Sequence, residues 1–466
     1  MLFSSIPFLY YFLPCVLLLY FLAPGKLKNS VLMLSSLFFY GWGEPKYLIL
    51  MLLSITQGYI FGRLVEKYRG QKRAKLFLTL SVVFSFLMLG YCKYADFFIS
   101  SFNAVTGLSI PLLKIALPIG ISFYTFQIVS YVIDVYRGDV SAQRNYVNLA
   151  AYISMFPQLI AGPIVRYADI AGQLENRTHS TAKTSLGVRR FIIGLSKKIL
   201  LANVLGELVD VFKNADERSV LFYWLYAVAY TLHIYFDFSG YSDMAIGLGH
   251  VFGFDFLENF NYPFISRSIT EFWRRWHMSL GSWFRDYLYI PLGGNRVSRG
   301  RWIFNIAVVW AATGLWHGAA WNFVAWGIFF AVLLVLEKLF LKKWLERAPA
   351  RGHIYVMLLV VISFVLFDAT SLCGAGETIG AMFGAGGLPA VSFEALYNLR
   401  SYAVVLILGI IGSTPLPKLA VERIRKTSGG AVLINAAEPV ALVALLAVST
   451  AFLIDGSFNP FLYFRF

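Results

Sequence analysis

WIFNIAVVWAATGLWHGAAWNFVAWGIFFAVLLVL, residues 302–336, contains no Asp, Glu, Lys or Arg. Built as one helix, these thirty-five residues would measure about 52 Å at 1.5 Å per residue, against a hydrocarbon core of about 30 Å. One straight span is too short a home for them. The run has to turn, and the small residues GAA at 318–320 are the expected place. His317 stands directly before that break and is the only imidazole between Trp302 and Glu337. Irregular backbone at membrane depth is tolerated only inside protein or against a cavity, so the ring is expected at an enclosed helix end.

The rest of the chain agrees with a membrane reading. Of 466 residues, 58% are hydrophobic and 14% charged, with mean hydropathy +0.66; an ordinary soluble domain carries about 25% charged residues. Apolar segments of roughly span length recur from 5–23 to 431–454. They predict an all-α polytopic protein with about 10–12 crossings, some pieces being re-entrant or interfacial. Residues 1–466 read as a single domain: N-terminal spans over 1–254, an interfacial amphipathic segment over 255–301, the histidine-bearing segment 302–337, and C-terminal spans with an aromatic tail over 338–466.

The excess of 40 Lys+Arg over 25 Asp+Glu sits in short segments between apolar runs. That is the positive-inside pattern, and it removes the need for a nucleic-acid partner. Assigning GKLK (25–28), RLVEKYRGQKRAK (63–75), KKWLERAPAR (342–351) and KLAVERIRK (418–426) to the cytoplasm places the N-terminus and the tail GSFNPFLYFRF (456–466) outside. No Lys or Arg precedes the first apolar run, which argues against a cleaved signal peptide. Cys15, Cys92 and Cys373 form no C-x-x-C pair and are read as structural. No internal repeat is visible, which weakens a transporter reading.

Within 255–301, Trp273, Trp276, His277, Leu280, Trp283, Phe284 and Tyr287 share one helical face, with Arg274, Arg275, Arg285 and Asp286 largely off it. The expectation is one amphipathic helix at the membrane interface, ended by the turn PLGGN at 291–295. His277 and His317 lie 40 residues apart, each preceded by tryptophan. A buried imidazole loses proton affinity and stays neutral, as a general base must; a pair of histidines satisfied by hydrogen bonds in a bundle is the plainer alternative. His233, Asp237, Tyr241 and Asp243 form a second polar group, but no thiolate or histidine cluster completes a metal site.

Three stretches together, FDFSGYSDMAIGLG (236–249), NFNYPFISRSITEFWRRWHMSLGSWFRDYLYIPLGGNR (259–296) and GLWHGAAWNFVAWG (314–327), resemble the membrane-bound O-acyltransferase family. More narrowly they resemble its bacterial alginate and peptidoglycan O-acetyltransferase branch, and ALPIGISFYTFQIVSYVIDVYRG (116–138) and FPQLIAGPIVRY (156–167) fit the same branch. The D-alanylating relatives that modify teichoic acid share part of the pattern and stand second; a channel or carrier is the reading from another class.

The resemblance implies a helical bundle with a central tunnel in the bacterial cytoplasmic membrane. It implies His317 as the catalytic residue and His277 as its helper, which either orients the acceptor or polarises the carbonyl. Acetyl-CoA is the implied donor, no metal is expected, and Arg274, Arg275, Arg285 and Asn295 are the implied donor-binding residues; interfacial anchoring is the other use for the arginines. Trp276, Trp316, Tyr241, Asp243 and Asn322 are the implied tunnel lining. Tyr463, in the tail FLYFRF, is similar to a tyrosine that carries acyl groups in partner proteins of the D-alanylation system, which implies an acetyl relay; an aromatic belt is the alternative. A separate extracytoplasmic SGNH-type transferase with a Ser-His-Asp triad is the implied partner, and a polysaccharide the acceptor.

Overall fold

The computed structural model describes residues 2–160 and 162–456. Most of those residues are helical and no strand is among them, the all-α architecture expected of a polytopic membrane protein. Among the described residues, five helices are long and apolar enough to cross a membrane: Pro45–Lys67, Lys72–Thr106, Trp321–Arg347, Pro349–Asp368 and Gly430–Asp455. The pair Phe393–Ser401 and Ala403–Gly412, bent by 59°, makes a sixth if it is one broken span. Composition leads to an expectation of ten to twelve crossings; five or six helices among the described residues meet that length and apolarity, and Pro7–Leu22 is a shorter apolar helix.

The chain divides into two compact units, Met1–Phe191 with Ser242–Leu257, and Ile192–Tyr241 with Glu258–Phe466. In the first unit, α1 (Leu13–Leu22), α2 (Lys28–Gly43), α3 (Leu48–Lys67) and α4 (Lys72–Leu89) are followed by α5 (Ile121–Arg137). Helix α5 is buried along most of its length, and its buried residues include Ser122, Thr125, Gln127, Ser130 and Asp134. Phe3, Phe8, Phe12, Phe39 and Phe156 form one aromatic cluster with ring centroids 4.7–6.3 Å apart. Polar side chains inside this unit satisfy one another: Ser81 donates to Gln57 Oε1 at 3.0 Å, and Gln57 Nε2 donates to Ser85 Oγ at 2.9 Å, tying α3 to α4.

The second unit contains α6 (Val204–Lys213), the stretch up to Tyr241 of the long helix α7 (Val220–Val251), and the short helices α8 (Ile269–Arg275) and α9 (Met278–Phe284). It also contains α10 (Arg299–His317), α11 (Trp321–Leu336) and α12 (Pro349–Asp368). The long apolar run turns where its length required. Helix α10 stops at His317, Gly318 and Ala320 are extended, and α11 begins at Trp321. The two helices then pack as a hairpin whose backbones nearly touch. A Cβ on Gly314 would stand 2.2 Å from the Phe323 carbonyl oxygen, and one on Gly327 would stand 2.1 Å from that of Trp310. Only glycine permits this approach, the small-residue contact by which apolar helices associate in lipid.

Lys198 and Asp237 form an ion pair at 2.5 Å in which neither side chain is more than 2% exposed. One turn before Asp237, His233 places Nδ1 2.6 Å from the Ala202 carbonyl oxygen.

Candidate active site

Helix α8 begins where it does because its first N–H groups are capped twice. Ser268 Oγ accepts the Glu271 N–H at 3.0 Å. Glu337, just past the end of α11, accepts the Ile269 N–H at 2.5 Å, the Thr270 N–H at 3.0 Å and the Thr270 hydroxyl at 2.9 Å. Carboxylates at a helix N-terminus satisfy orphan donors and favour the dipole.

The single amphipathic helix expected across 273–287 is not present. Helix α8 ends at Arg275, Trp276 is extended, and His277 adopts the left-handed conformation with φ 45° and ψ 52°. The cause is a clamp from the preceding loop. Asn261 N–H donates to the Arg275 carbonyl oxygen at 2.9 Å, and Met278 N–H to that of Asn259 at 3.0 Å. The Ser279 N–H and hydroxyl both donate to Asn259 Oδ1, at 3.3 and 2.8 Å. These bonds capture the backbone that would otherwise continue α8. The PLGGN turn is present, with Gly293 and Gly294 at positive φ.

The clamp also fixes the chemistry of His277. Asn259 Oδ1 accepts from Ser279 and is therefore the oxygen of the amide. Its 3.0 Å contact with His277 Nδ1 must then be an Nδ1–H donation. That leaves the lone pair on Nε2. The ring is 1% exposed and meets Phe238 edge-on at 4.6 Å. Burial, with a smaller contribution from His317, holds its pKa well below that of an ordinary histidine.

His317 ends α10 inside an aromatic enclosure. The rings of Trp316, Trp326 and Phe367 stand 5.1, 5.1 and 5.3 Å from it, each at 82°. Asn322 donates to the Phe367 carbonyl oxygen at 3.2 Å, holding that wall in place. The Trp316 ring lies 5.8 Å from His277 and 5.1 Å from His317, so the structure brings the two histidines to one indole. A neutral imidazole of fixed tautomer beside a second imidazole, in apolar surroundings, is equipped to accept and hand on a proton.

The other residues singled out from sequence are distributed as follows. Trp276 packs among Phe260, Phe272 and Phe364. Tyr241 is buried in α7, and Asp243, in the first unit, is ion-paired with Arg190 at 2.9 Å. Arg275 is bound to Glu271 at 2.9 Å and Arg285 to Asp286 at 2.6 Å, whereas Arg274 is exposed and makes no ion pair among the described residues. Asn295 is exposed. Tyr463 lies outside the described residues.

Asn259, Ser279, Glu337, Trp326 and Phe367 were not singled out from sequence. The contacts of Asn259 and Glu337 join residues 18 and 68 apart, and no local period signals them. Trp326 is nine residues beyond His317 on the far side of the turn, so the hairpin geometry alone points to it.

Comparison with known proteins adds a family. The profile described as MBOAT, membrane-bound O-acyltransferase family, matches residues 140–373. A probable alginate O-acetylase, AlgI, of Azotobacter vinelandii is 40% identical, with the whole of both chains covered. A peptidoglycan O-acetyltransferase of Helicobacter pylori is 31% identical over all of this chain and 98% of the relative. A teichoic acid D-alanyltransferase of Bacillus subtilis is 30% identical over 53% of this chain and 67% of its own length.

Proposed function

The chain is an acyltransferase of the membrane-bound O-acyltransferase family, and from that premise we propose that it moves acetyl groups from cytoplasmic acetyl-CoA towards an extracytoplasmic polysaccharide such as alginate or peptidoglycan. The observation that carries the chemistry is the pair of imidazoles at one indole, His317 at a helix break and His277 held as a neutral Nδ1–H tautomer.

In this reading His317 removes the proton of the acceptor hydroxyl as that oxygen bonds to the thioester carbon. The C–S bond then breaks and the coenzyme A thiolate takes the proton. With Nδ1–H committed to Asn259, His277 offers only an acceptor nitrogen, which supports orientation of the hydroxyl rather than polarisation of the carbonyl. Trp276, Trp316, Tyr241 and Asn322 line the route through a single catalytic domain. Arg274, which carries no carboxylate, is the first cation for the donor's phosphates, with Arg275, Arg285 and Asn295 as the further donor-binding residues.

Tyr463 enters from the outer face, accepts acetyl as a phenyl ester and delivers it to a separate SGNH-type transferase. This requires the C-terminus to lie outside the bacterial cytoplasmic membrane. The phenol, with an ordinary pKa of about 10, needs a base beside it, and His317 supplies one.

The test is transfer of label from acetyl-CoA by the full chain in vesicles, comparing wild type with His317→Ala. Loss of transfer with retained fold is expected; normal transfer in the variant overturns the assigned base. Equal use of long-chain acyl-CoA overturns the acetyl specificity.

A further inference from the structure

The first unit gathers basic side chains around a single tyrosine. Lys28 Nζ stands 4.8 Å from the Tyr20 ring centroid, and the Arg177 guanidinium 5.7 Å from the same ring and 4.6 Å from that of Phe254. The Tyr20 hydroxyl donates to the Phe252 carbonyl oxygen at 2.7 Å, so its 3.0 Å contact with His179 Nε2 is a donation from the imidazole. Arg177 Nη2 donates to Asn29 Oδ1, and Asn29 is in turn fixed by Asn148 and by the Leu174 carbonyl oxygen, each at 2.8 Å.

What this group lacks is negative charge. Lys28, Arg177 and His179 make no ion pair among the described residues, and Arg177 Nη1 has no acceptor there. The neighbouring carboxylate, Asp255, already holds Lys183 at 2.7 Å and approaches His250 at 3.6 Å. Elsewhere in the chain half-buried cations are matched: Arg190 by Asp243, Lys213 by Asp368, Arg275 by Glu271. Like charges gathered against one ring repel unless an anion joins them. Burial, and to a smaller extent the charges of Lys28 and Arg177, lower the proton affinity of His179.

We propose that Lys28 and Arg177 form a binding site for a phosphate group, with the Tyr20 ring as its floor and His179 holding that ring through its Nε2–H. Guanidinium and ammonium donors converging on one place suit tetrahedral phosphate oxygens. The setting favours a lipid headgroup as the source. Helix α1 presents Leu18, Leu19, Phe21 and Leu22 outward, and Leu22, two residues beyond Tyr20, is 74% exposed, so acyl chains have an apolar surface beside the cations.

The experiment uses the purified full chain in mixed micelles, with native mass spectrometry reading retained ligand. The probes are phosphatidylglycerol, phosphatidylcholine and inorganic pyrophosphate. Phosphatidylglycerol is expected to be retained over phosphatidylcholine. Retention should weaken about tenfold in Lys28→Gln and at least as much in Arg177→Gln, the usual scale for one charge-assisted hydrogen bond. Lys28 touches only ring faces, so its variant keeps the fold if Arg177→Gln does not; Lys418→Gln, in the other unit, controls for charge alone. Retention of pyrophosphate with loss in the same two variants assigns the site to a soluble phosphate instead. Retention of neither probe, or unchanged retention in both variants, overturns the proposal.

Discussion

Asn259 holds His277 in a single tautomer through a 3.0 Å contact between Oδ1 and Nδ1, and the same oxygen takes both donors of Ser279. Asn259→Leu removes that acceptor while preserving bulk. Transfer is expected to fall by up to about 100-fold, the lower end of what a positioned proton-transfer group contributes. The loss should appear in kcat rather than KM, because the proposed role is to aim a nitrogen at the reacting hydroxyl. An unchanged kcat removes Asn259 from the mechanism.

The pH dependence follows from the buried ring. The His277 pKa is held well below its unfolded value, so as pH falls through about 6.5 the unfolded chain takes up a proton that the folded chain refuses. Stability should therefore decline from about pH 6.5 downwards, and activity should hold until the lower folded pKa is reached. Asn259→Asp places a carboxylate against the ring and favours the cation, so the acidic limb of the rate profile should move to higher pH. A limb that does not move shows that some other group sets it.

Gly327→Ala tests the hairpin. Its new methyl would stand 2.1 Å from the Trp310 carbonyl oxygen, so α10 and α11 must separate. Destabilisation of about 1–3 kcal/mol is expected from overpacking, together with a loss of transfer larger than stability alone explains, because His317 moves with α10. Thermal unfolding in detergent and the vesicle assay measure the two parts.

Breaking the Lys198–Asp237 pair from one side leaves a buried charge without its counter-ion. Lys198→Met is expected to cost about 3–5 kcal/mol, whereas Lys198→Met with Asp237→Leu should recover most of it. If the double variant is no better than the single one, the pair does something beyond neutralising itself.

How far the sequence reached is clearest by comparing two segments. The turn at 318–320 follows from length: a run that outreaches the hydrocarbon core must bend, and GAA, directly after His317, is the obvious place for it. The break at His277 was not legible, because the wheel from Trp273 to Tyr287 is a good local pattern that a clamp from Asn259 and Asn261 overrides. The same division runs through the site. His277 and His317 stand out as rings flanked by tryptophan in apolar surroundings. Asn259, which decides the tautomer, and Glu337, which starts α8, are ordinary polar residues until folding brings them across 18 and 68 positions.

Lys198 and Asp237 also bear on how the chain is made. Each sits in an apolar segment that a translocon would judge one at a time, and each alone carries a charge that hydrocarbon penalises. Their pairing rewards late release: the earlier segment gains by waiting in the protein channel until its counter-charge has been synthesised, thirty-nine residues later, so that the two leave for the lipid together.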